Sequence, residues 1–184
     1  MSKLIYNFNY SFLNQKKNIK NILGGKGTNL VEMGKLGLPV PYGFVISTKV
    51  CEIFYQNKKK LPKSLINTIK KELHIIEKVS KKKFGDNKNP LLISVRSGAR
   101  VSMPGMMDTI LNLGLNNITV EALAKKTSNL RFAKDSYRRF IQMYSSVVLG
   151  IESYNFEELI ENYKMTKGVI MDTDLDADDW DGLI

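Results

Sequence analysis

The stretch PLLISVRSGARVSMPGMMDTILNLG, residues 90–114, changes its chemistry abruptly after its first few residues. It opens with an apolar run at 91–95 whose length and β-branched content predict a buried strand. Arg96 and Arg100 then bracket a small segment around Gly98. Small residues let the backbone approach a ligand closely, and guanidinium groups bind oxyanions through paired hydrogen bonds. The alternative is a surface loop that carries two solvated arginines.

A second segment upstream, NILGGKG, places Gly24 and Gly25 directly before Lys26. Glycine can adopt positive φ and expose backbone N–H groups, and a helix is predicted to follow at 29–36. Such a turn with a lysine is a plausible phosphate cradle. It is not a P-loop, because Lys20 replaces the first glycine and no Ser or Thr follows the lysine. A tight turn with an exposed lysine remains the alternative.

Two long segments of the chain resemble signature sequences of the pyruvate phosphate dikinase family. They are SVRSGARVSMPGMMDTILNLGLN at 94–116 and GGKGTNLVEMGKLGLPVPYGFVIST at 24–48. The resemblance implies a kinase that interconverts pyruvate and phosphoenolpyruvate, consuming ATP and phosphate and releasing AMP and diphosphate. It also implies an ATP-grasp-like fold, in which the matching lysine, Lys26, contacts the ATP phosphates.

The resemblance implies a set of ATP-binding residues in this chain, and it implies that the catalytic and metal-binding residues lie in other portions of the enzyme. Lys26 would supply a point charge, Arg96 a fork on the phosphates, and the loop 98–109 would close over the nucleotide. The implied ATP-binding residues are Gly24, Gly25, Lys26, Arg96, Gly98, Arg100, Met107, Asp108 and Thr109. No catalytic residue or metal ligand is expected in this chain, since the phosphohistidine, the Mg²⁺ ligands and the pyruvate site belong to family portions that it lacks.

Three other features are interpreted as structural. His74 lacks the glycine-rich surroundings of the family's phosphohistidine, so we expect a partly buried helix residue. Cys51 lies among apolar residues and is expected to be buried. The aspartate-rich tail at 172–182 lacks the Gly and Glu that a calcium loop needs, so it is expected to cap a last helix.

The charge of the chain is strongly asymmetric. Residues 1–92 contain 18 lysines, no arginine and 5 acidic residues, whereas residues 93–184 contain 10 basic and 13 acidic residues. Proteins that recognise nucleic-acid bases favour arginine with interleaved aromatic residues, and the lysine runs have neither. We therefore expect a solvated face and not a nucleic-acid site. No apolar stretch approaches the ~20 residues of a membrane span. A single cysteine fits a reducing, cytoplasmic setting.

The pattern of apolar residues predicts an α+β fold with more helix than strand. Residues 1–115 are predicted to form a first subdomain with a small mixed sheet, and residues 116–184 a mostly helical one. A helix is predicted to start after Pro62 and to reach Ser80, with apolar residues at helical spacing. The pair Arg138-Arg139 is expected at a solvated edge of a long helix.

Two other functions remain as alternatives. A phosphoenolpyruvate synthase-like fragment would share the N-terminal architecture, although its loop after the arginine-containing strand differs. A non-catalytic remnant or interaction module would bind acidic partners through the lysine-rich residues 58–88. The sequence does not distinguish a split subunit, assembling with a separately encoded remainder of the enzyme, from a decayed gene product or a truncated piece.

Overall fold

The computed structural model describes residues 3–8, 19–98 and 109–184, which form two compact units. The first unit comprises Met1–Lys81 and Arg96–Met107, and the second comprises Lys82–Val95 and Asp108–Ile184. Helices accompany two sheets of two strands each, so the α+β class is confirmed. The subdomain boundary after residue 115 stays a prediction.

Five elements build the described part of the first unit. They are β1 (Ile5–Asn7), α1 (Ile19–Lys35), β2 (Phe44–Ile46), α2 (Lys49–Gln56) and α3 (Lys63–Ser80). The two strands are antiparallel, and Tyr6 lies opposite Val45. The helix predicted to follow Pro62 and to reach Ser80 is confirmed.

The strand pair of the first unit carries apolar side chains on both faces. Tyr6 packs with Leu23 and Val31 of α1, whereas its neighbour Ile5 packs with Val50 and Leu65 of α2 and α3. Successive residues of a strand point to opposite faces, which explains why two adjacent residues serve two clusters. The strand pair is therefore packed between α1 on one side and α2 with α3 on the other.

Helix α1 begins ten residues earlier than the sequence predicts. The predicted end is confirmed, since Gly37 has φ 76° and its N–H donates to the carbonyl of Gly34. The helix, however, already starts at Ile19 and is interrupted at Gly24. Because glycine is a poor helix former, the glycine pair predicts a turn at this point and not a helix.

Eight elements involve the second unit. They are β3 (Ile93–Arg96), β4 (Thr109–Leu113), α4 (Thr119–Thr127), α5 (Leu130–Tyr144), a π-helical turn (Ser145–Leu149), α6 (Ser153–Lys167), a 3-10 turn (Asp172–Asp174) and α7 (Ala177–Leu183). Strand β3 pairs with β4, and its last residue, Arg96, is assigned to the first unit. No helix within the three described ranges is long and apolar enough to cross a membrane.

The second unit has two apolar clusters. One joins Leu115 and Val120 to Ala133 of α5, and the other joins Ile160 and Leu175 to Trp180, which is completely buried. The guanidinium of Arg138 lies 4.5 Å from the Trp180 ring centre and is itself buried. The expectation of a solvated edge is therefore wrong for Arg138, because the indole of α7 covers it.

Two further expectations are also wrong. Cys51 is exposed, because α2 packs on the strands through its neighbour Val50. The His74 side chain is 63% exposed and lies 3.0 Å from the carboxylate of Glu77, one turn along α3. The tail is as expected, because Asp176 caps α7 and accepts from the N–H groups of Asp178 and Asp179.

Gly114, the last residue of the opening stretch, is a position where alanine should be costly. Its φ is +118°, and an added Cβ would lie 2.8 Å from the carbonyl oxygen of Leu91. We expect Gly114→Ala to lower the free energy of unfolding by about 2–4 kcal/mol, through backbone strain and overpacking. Urea titration followed by fluorescence of Trp180, the one tryptophan of the chain, measures it.

Gly168→Ala is the matched control for this substitution. Gly168 also has positive φ, 75°, but nothing lies within 4 Å of its added Cβ. We expect a loss of only about 1 kcal/mol there, from the left-handed conformation alone. Equal losses in the two variants would contradict the close approach of residue 114 to Leu91.

The cap of α7 predicts acid sensitivity of the second unit. The N–H of Asp179, followed by Lys167, lowers the pKa of Asp176 below its ordinary value of 3.8. A carboxyl group whose pKa is lower in the folded than in the unfolded state stabilises the folded state at a pH above its unfolded-state pKa. This contribution is lost as the pH falls below about 4. We therefore expect Asp176→Asn, which keeps a capping oxygen, to weaken the decrease of melting temperature between pH 5 and 2.

The control is Asp178→Asn, which removes the neighbouring, exposed carboxylate of the same first turn. Melting temperatures followed by circular dichroism at each pH give the comparison. If Asp176→Asn and Asp178→Asn show the same dependence on pH as the unchanged chain, the cap contributes nothing in acid.

Candidate functional site

The backbone of α1 is broken at Gly24. This residue has φ 71° and ψ 176°, a conformation that essentially only glycine adopts. Thr28 donates its hydroxyl to the carbonyl of Gly24 at 2.8 Å and so fixes the far side of the break. The double-glycine segment is thus a bend inside a helix, whereas the sequence predicted a turn before one.

The residues after the break are packed tightly. Gly24, Gly25 and Gly27 are buried, and Lys26 is half-buried. A Cβ on Gly27 would lie 3.1 Å from Val45 of β2. Glycine at 27 therefore allows α1 to approach the strand closely.

Thr48 connects this bend to the beginning of α2. Its hydroxyl donates to the carbonyl of Asn21 at 2.6 Å, and its N–H donates to the carbonyl of Ile22 at 3.0 Å. Both acceptors precede Gly24 by two or three residues. Two segments that are 27 residues apart in sequence are thereby joined at the bend.

The two predicted phosphate-binding cations lie in the same unit. Lys26 follows the bend, and Arg96 is the exposed last residue of β3. Neither side chain forms a hydrogen bond or an ion pair with any residue of the ranges 3–8, 19–98 and 109–184. Lys164 differs, since Glu161 and Asp172 lie 2.6 Å and 3.1 Å from its ammonium group. Lys26 and Arg96 thus keep their charge available for an anion.

A cavity of about 500 Å³ lies beside the start of α2. Its lining residues are Ile46, Ser47, Thr48, Val50, Cys51, Glu52 and Gly98. Among the described residues of the predicted site, Gly98 lines this cavity, whereas Lys26 and Arg96 do not. Thr48 therefore contacts both the bend before Lys26 and the cavity that Gly98 lines.

The remaining predicted site residues are placed only in part. Thr109 is the half-buried first residue of β4 and belongs to the second unit. Arg100, Met107 and Asp108 lie outside the described residues, as does most of the loop 98–109. In the parts of the chain that the structure describes, no three His, Cys, Asp or Glu side chains are grouped closely enough to hold a metal ion.

A second cavity, of about 440 Å³, lies within the second unit and differs in its charges. Arg138 contacts Asp135 at 2.5 Å, and Arg139 contacts the same carboxylate at 3.1 Å. Asp172 lies 3.9 Å from Arg138. Because its arginines are paired with carboxylates, this cavity is a poor site for a polyphosphate.

Thr48 is the residue that sequence reasoning missed. A Ser or Thr between a strand and a helix predicts a helix cap, so the sequence indicates Ser47 or Thr48 as the cap of α2. Only the fold shows that the hydroxyl contacts Asn21 instead. Thr48 is the last residue of the segment 24–48 that resembles the family signature. The sequence of that segment does not indicate that the Thr48 hydroxyl has a partner 27 residues away.

Comparison with known proteins identifies the family. Residues 20–74 match the family model described as "Pyruvate phosphate dikinase, AMP/ATP-binding domain", and this range contains the bend and Thr48. The chain is 54% identical over 170 residues to the pyruvate, phosphate dikinase of Clostridium symbiosum, and 53% identical over 170 residues to that of Entamoeba histolytica. The match covers 92% of the chain in each case, and 20% and 19% of the relative.

A third relative extends the match further along the chain. The chloroplastic pyruvate, phosphate dikinase of Flaveria pringlei is 50% identical over 182 residues, which are 99% of this chain and 19% of the relative. The chain thus spans about a fifth of the length of the curated relatives that it matches. It belongs to the pyruvate phosphate dikinase family and corresponds to part of the ATP-binding portion.

Proposed function

We propose that this chain is the ATP-binding N-terminal part of a pyruvate phosphate dikinase. The observation that carries the proposal is the match of residues 20–74 to the AMP/ATP-binding family model, because that segment contains the bend at Gly24 and Lys26, which has no partner among the described residues. The whole enzyme would convert ATP, pyruvate and phosphate into AMP, phosphoenolpyruvate and diphosphate. An ATP-grasp-like fold with subdomains 1–115 and 116–184 is part of the same proposal.

In this proposal the chain binds the polyphosphate by charge and by positioned donors. Phosphoryl transfer requires mainly positioning and electrostatic stabilisation of the phosphates. Lys26 supplies a compact ammonium beside the bend, and Arg96 supplies a planar guanidinium at the end of β3. Gly24, Gly25 and Gly98 allow the backbone to approach the nucleotide closely. Arg100, Met107, Asp108 and Thr109 belong to the loop that would close over it.

The remaining chemistry belongs to parts of the enzyme beyond this chain. Mg²⁺ would neutralise the phosphates when bound, on ligands outside residues 1–184. Pyruvate, phosphate and the phosphohistidine would also be provided by the remainder of the enzyme, which could assemble as a separate chain. We further propose a cytoplasmic location, although the matched Flaveria relative is named chloroplastic.

The two alternatives have less support. The matched relatives named above are all pyruvate, phosphate dikinases, which disfavours a phosphoenolpyruvate synthase-like fragment. An interaction module would rely on the lysine-rich residues 58–88, which are largely exposed. Exposed lysines that are fully hydrated are typical of a solvated face and favour no particular partner.

Lys26→Ala and Arg96→Ala are each expected to weaken ATP binding by the assembled enzyme. Removal of one charge-assisted hydrogen bond costs roughly 1.5–3 kcal/mol, which corresponds to roughly a ten- to hundredfold higher Kd. Isothermal titration with ATP, with and without Mg²⁺, measures the change. The same titration of the isolated chain tests whether the site forms without the remainder of the enzyme.

Two controls separate the site from general positive charge. Lys35→Ala removes an exposed lysine from the other end of α1. Replacement of Lys58, Lys59, Lys60, Lys81, Lys82 and Lys83 by glutamine removes the lysine-rich face. Both should leave the Kd for ATP nearly unchanged. Unchanged titrations in Lys26→Ala and Arg96→Ala, with a loss in the glutamine variant, would favour the interaction module.

The isolated chain is expected to show no turnover. It contains no catalytic histidine of the family type, and it spans only a fifth of the matched relatives. A coupled assay for phosphoenolpyruvate formed from pyruvate, ATP and phosphate should therefore give no signal, and mixing with a separately produced remainder of the enzyme should restore one. Phosphoenolpyruvate formation by the chain alone would refute this division of labour.

A further inference from the structure

Thr48 occupies the capping position of α2 without capping it. Its φ and ψ are −53° and −27°, and its side chain makes no capping hydrogen bond. Ser47 instead accepts from the N–H of Lys49 at 3.4 Å, a long contact. The strong donor that a threonine hydroxyl offers is therefore used elsewhere, at the carbonyl of Asn21.

The two carbonyls that Thr48 contacts have a defined role in an uninterrupted helix. A helical carbonyl accepts from the N–H four residues later. The carbonyls of Asn21 and Ile22 would thus accept from the N–H groups of Gly25 and Lys26. The non-helical conformation of Gly24 lies between these donors and acceptors, and Thr48 donates to both carbonyls.

We infer that Thr48 is a positioning residue for polyphosphate binding, acting through the backbone of Gly25 and Lys26. Its hydroxyl and its N–H replace those of Gly25 and Lys26 as donors to Asn21 and Ile22. A helical carbonyl without a donor favours pairing with the N–H four residues later, and hence a regular helix. Thr48 satisfies both carbonyls and so removes this preference. The N–H groups of Gly25 and Lys26 then remain available to an anion. This inference rests on the proposed function of Lys26.

The arrangement concentrates donors where an anion would bind. Two consecutive N–H groups at the start of a helical segment, one of them belonging to a lysine, are of the kind that phosphate oxygens prefer. Thr28 holds the carbonyl of Gly24 from the other side, so the bend is fixed at both ends.

Amide hydrogen exchange of the isolated chain without nucleotide tests the backbone part of the inference. We expect the amides of Gly25 and Lys26 to exchange rapidly and the amide of Val31, deeper in α1, to be protected. In Thr48→Val the carbonyl of Asn21 loses its hydroxyl donor, so the Gly25 amide should pair with it and exchange more slowly. A purely structural role of Thr48 predicts the opposite, faster exchange.

ATP titration of the same variants tests the functional part. We expect Thr48→Val to raise the Kd about tenfold and Thr48→Ser, which keeps the hydroxyl, to stay within about threefold of the unchanged chain. Thr68→Val is the matched control, since Thr68 donates to the carbonyl of Ser64 at 2.9 Å in α3 of the same unit. It should leave both the Kd and the exchange of Gly25 unchanged.

The outcomes separate this inference from the proposed function. Protected Gly25 and Lys26 amides in the unchanged chain, or unchanged or faster Gly25 exchange in Thr48→Val, overturn the role of Thr48. An unaffected Kd in Thr48→Val with a raised Kd in Lys26→Ala overturns it too, while the proposed function stands. No effect of Lys26→Ala on ATP binding, with exchange as expected, overturns the proposed function and supports the shaping of the bend by Thr48. If Thr48→Val does not fold, the amide exchange of Gly25 and Lys26 in the unchanged chain and the Kd of Thr48→Ser for ATP still test the role of Thr48.

Discussion

The break of α1 at Gly24 is the constraint on which the candidate site depends. The conformation of Gly24 is closed to residues with a side chain, and it interrupts the helix where two carbonyls need donors. Thr48 provides those donors from the start of α2, which itself packs on the strand pair through Val50. A local conformation and a long-range contact therefore meet at the same carbonyls.

Much of the fold follows from local patterns in the sequence. Pro62 and Gly37 mark a helix start and a helix end because their backbone preferences act on their own positions. The early start of α1 and the burial of Arg138 were not predictable in this way. The first requires packing of Ile19 and Ile22 against the cluster that contains Tyr6, and the second requires an indole 42 residues further along the chain. Such tertiary contacts leave no local signal.

The candidate site shows the same limit. Residue types alone indicated a glycine bend with a lysine and an arginine after a strand, and the structure places Lys26 and Arg96 in one unit. The sequence could not show that the bend lies inside a helix, because glycine pairs occur more often in turns. It also could not assign the Thr48 hydroxyl, since a capping threonine and a bridging one have the same local sequence.

The charge asymmetry of the chain explains which cations remain available. Ion pairs need acidic partners, and most acidic residues lie after residue 92. In the second unit Lys134, Lys164 and Lys167 are each paired with carboxylates, and these partners raise the pKa of all three. The first unit has many lysines and few acids, so surplus charge is general there. Lys26 is half-buried at the bend, whereas lysines such as Lys20, Lys35 and Lys49 are exposed. A cation with restricted motion binds an anion at a smaller entropic cost than a mobile one.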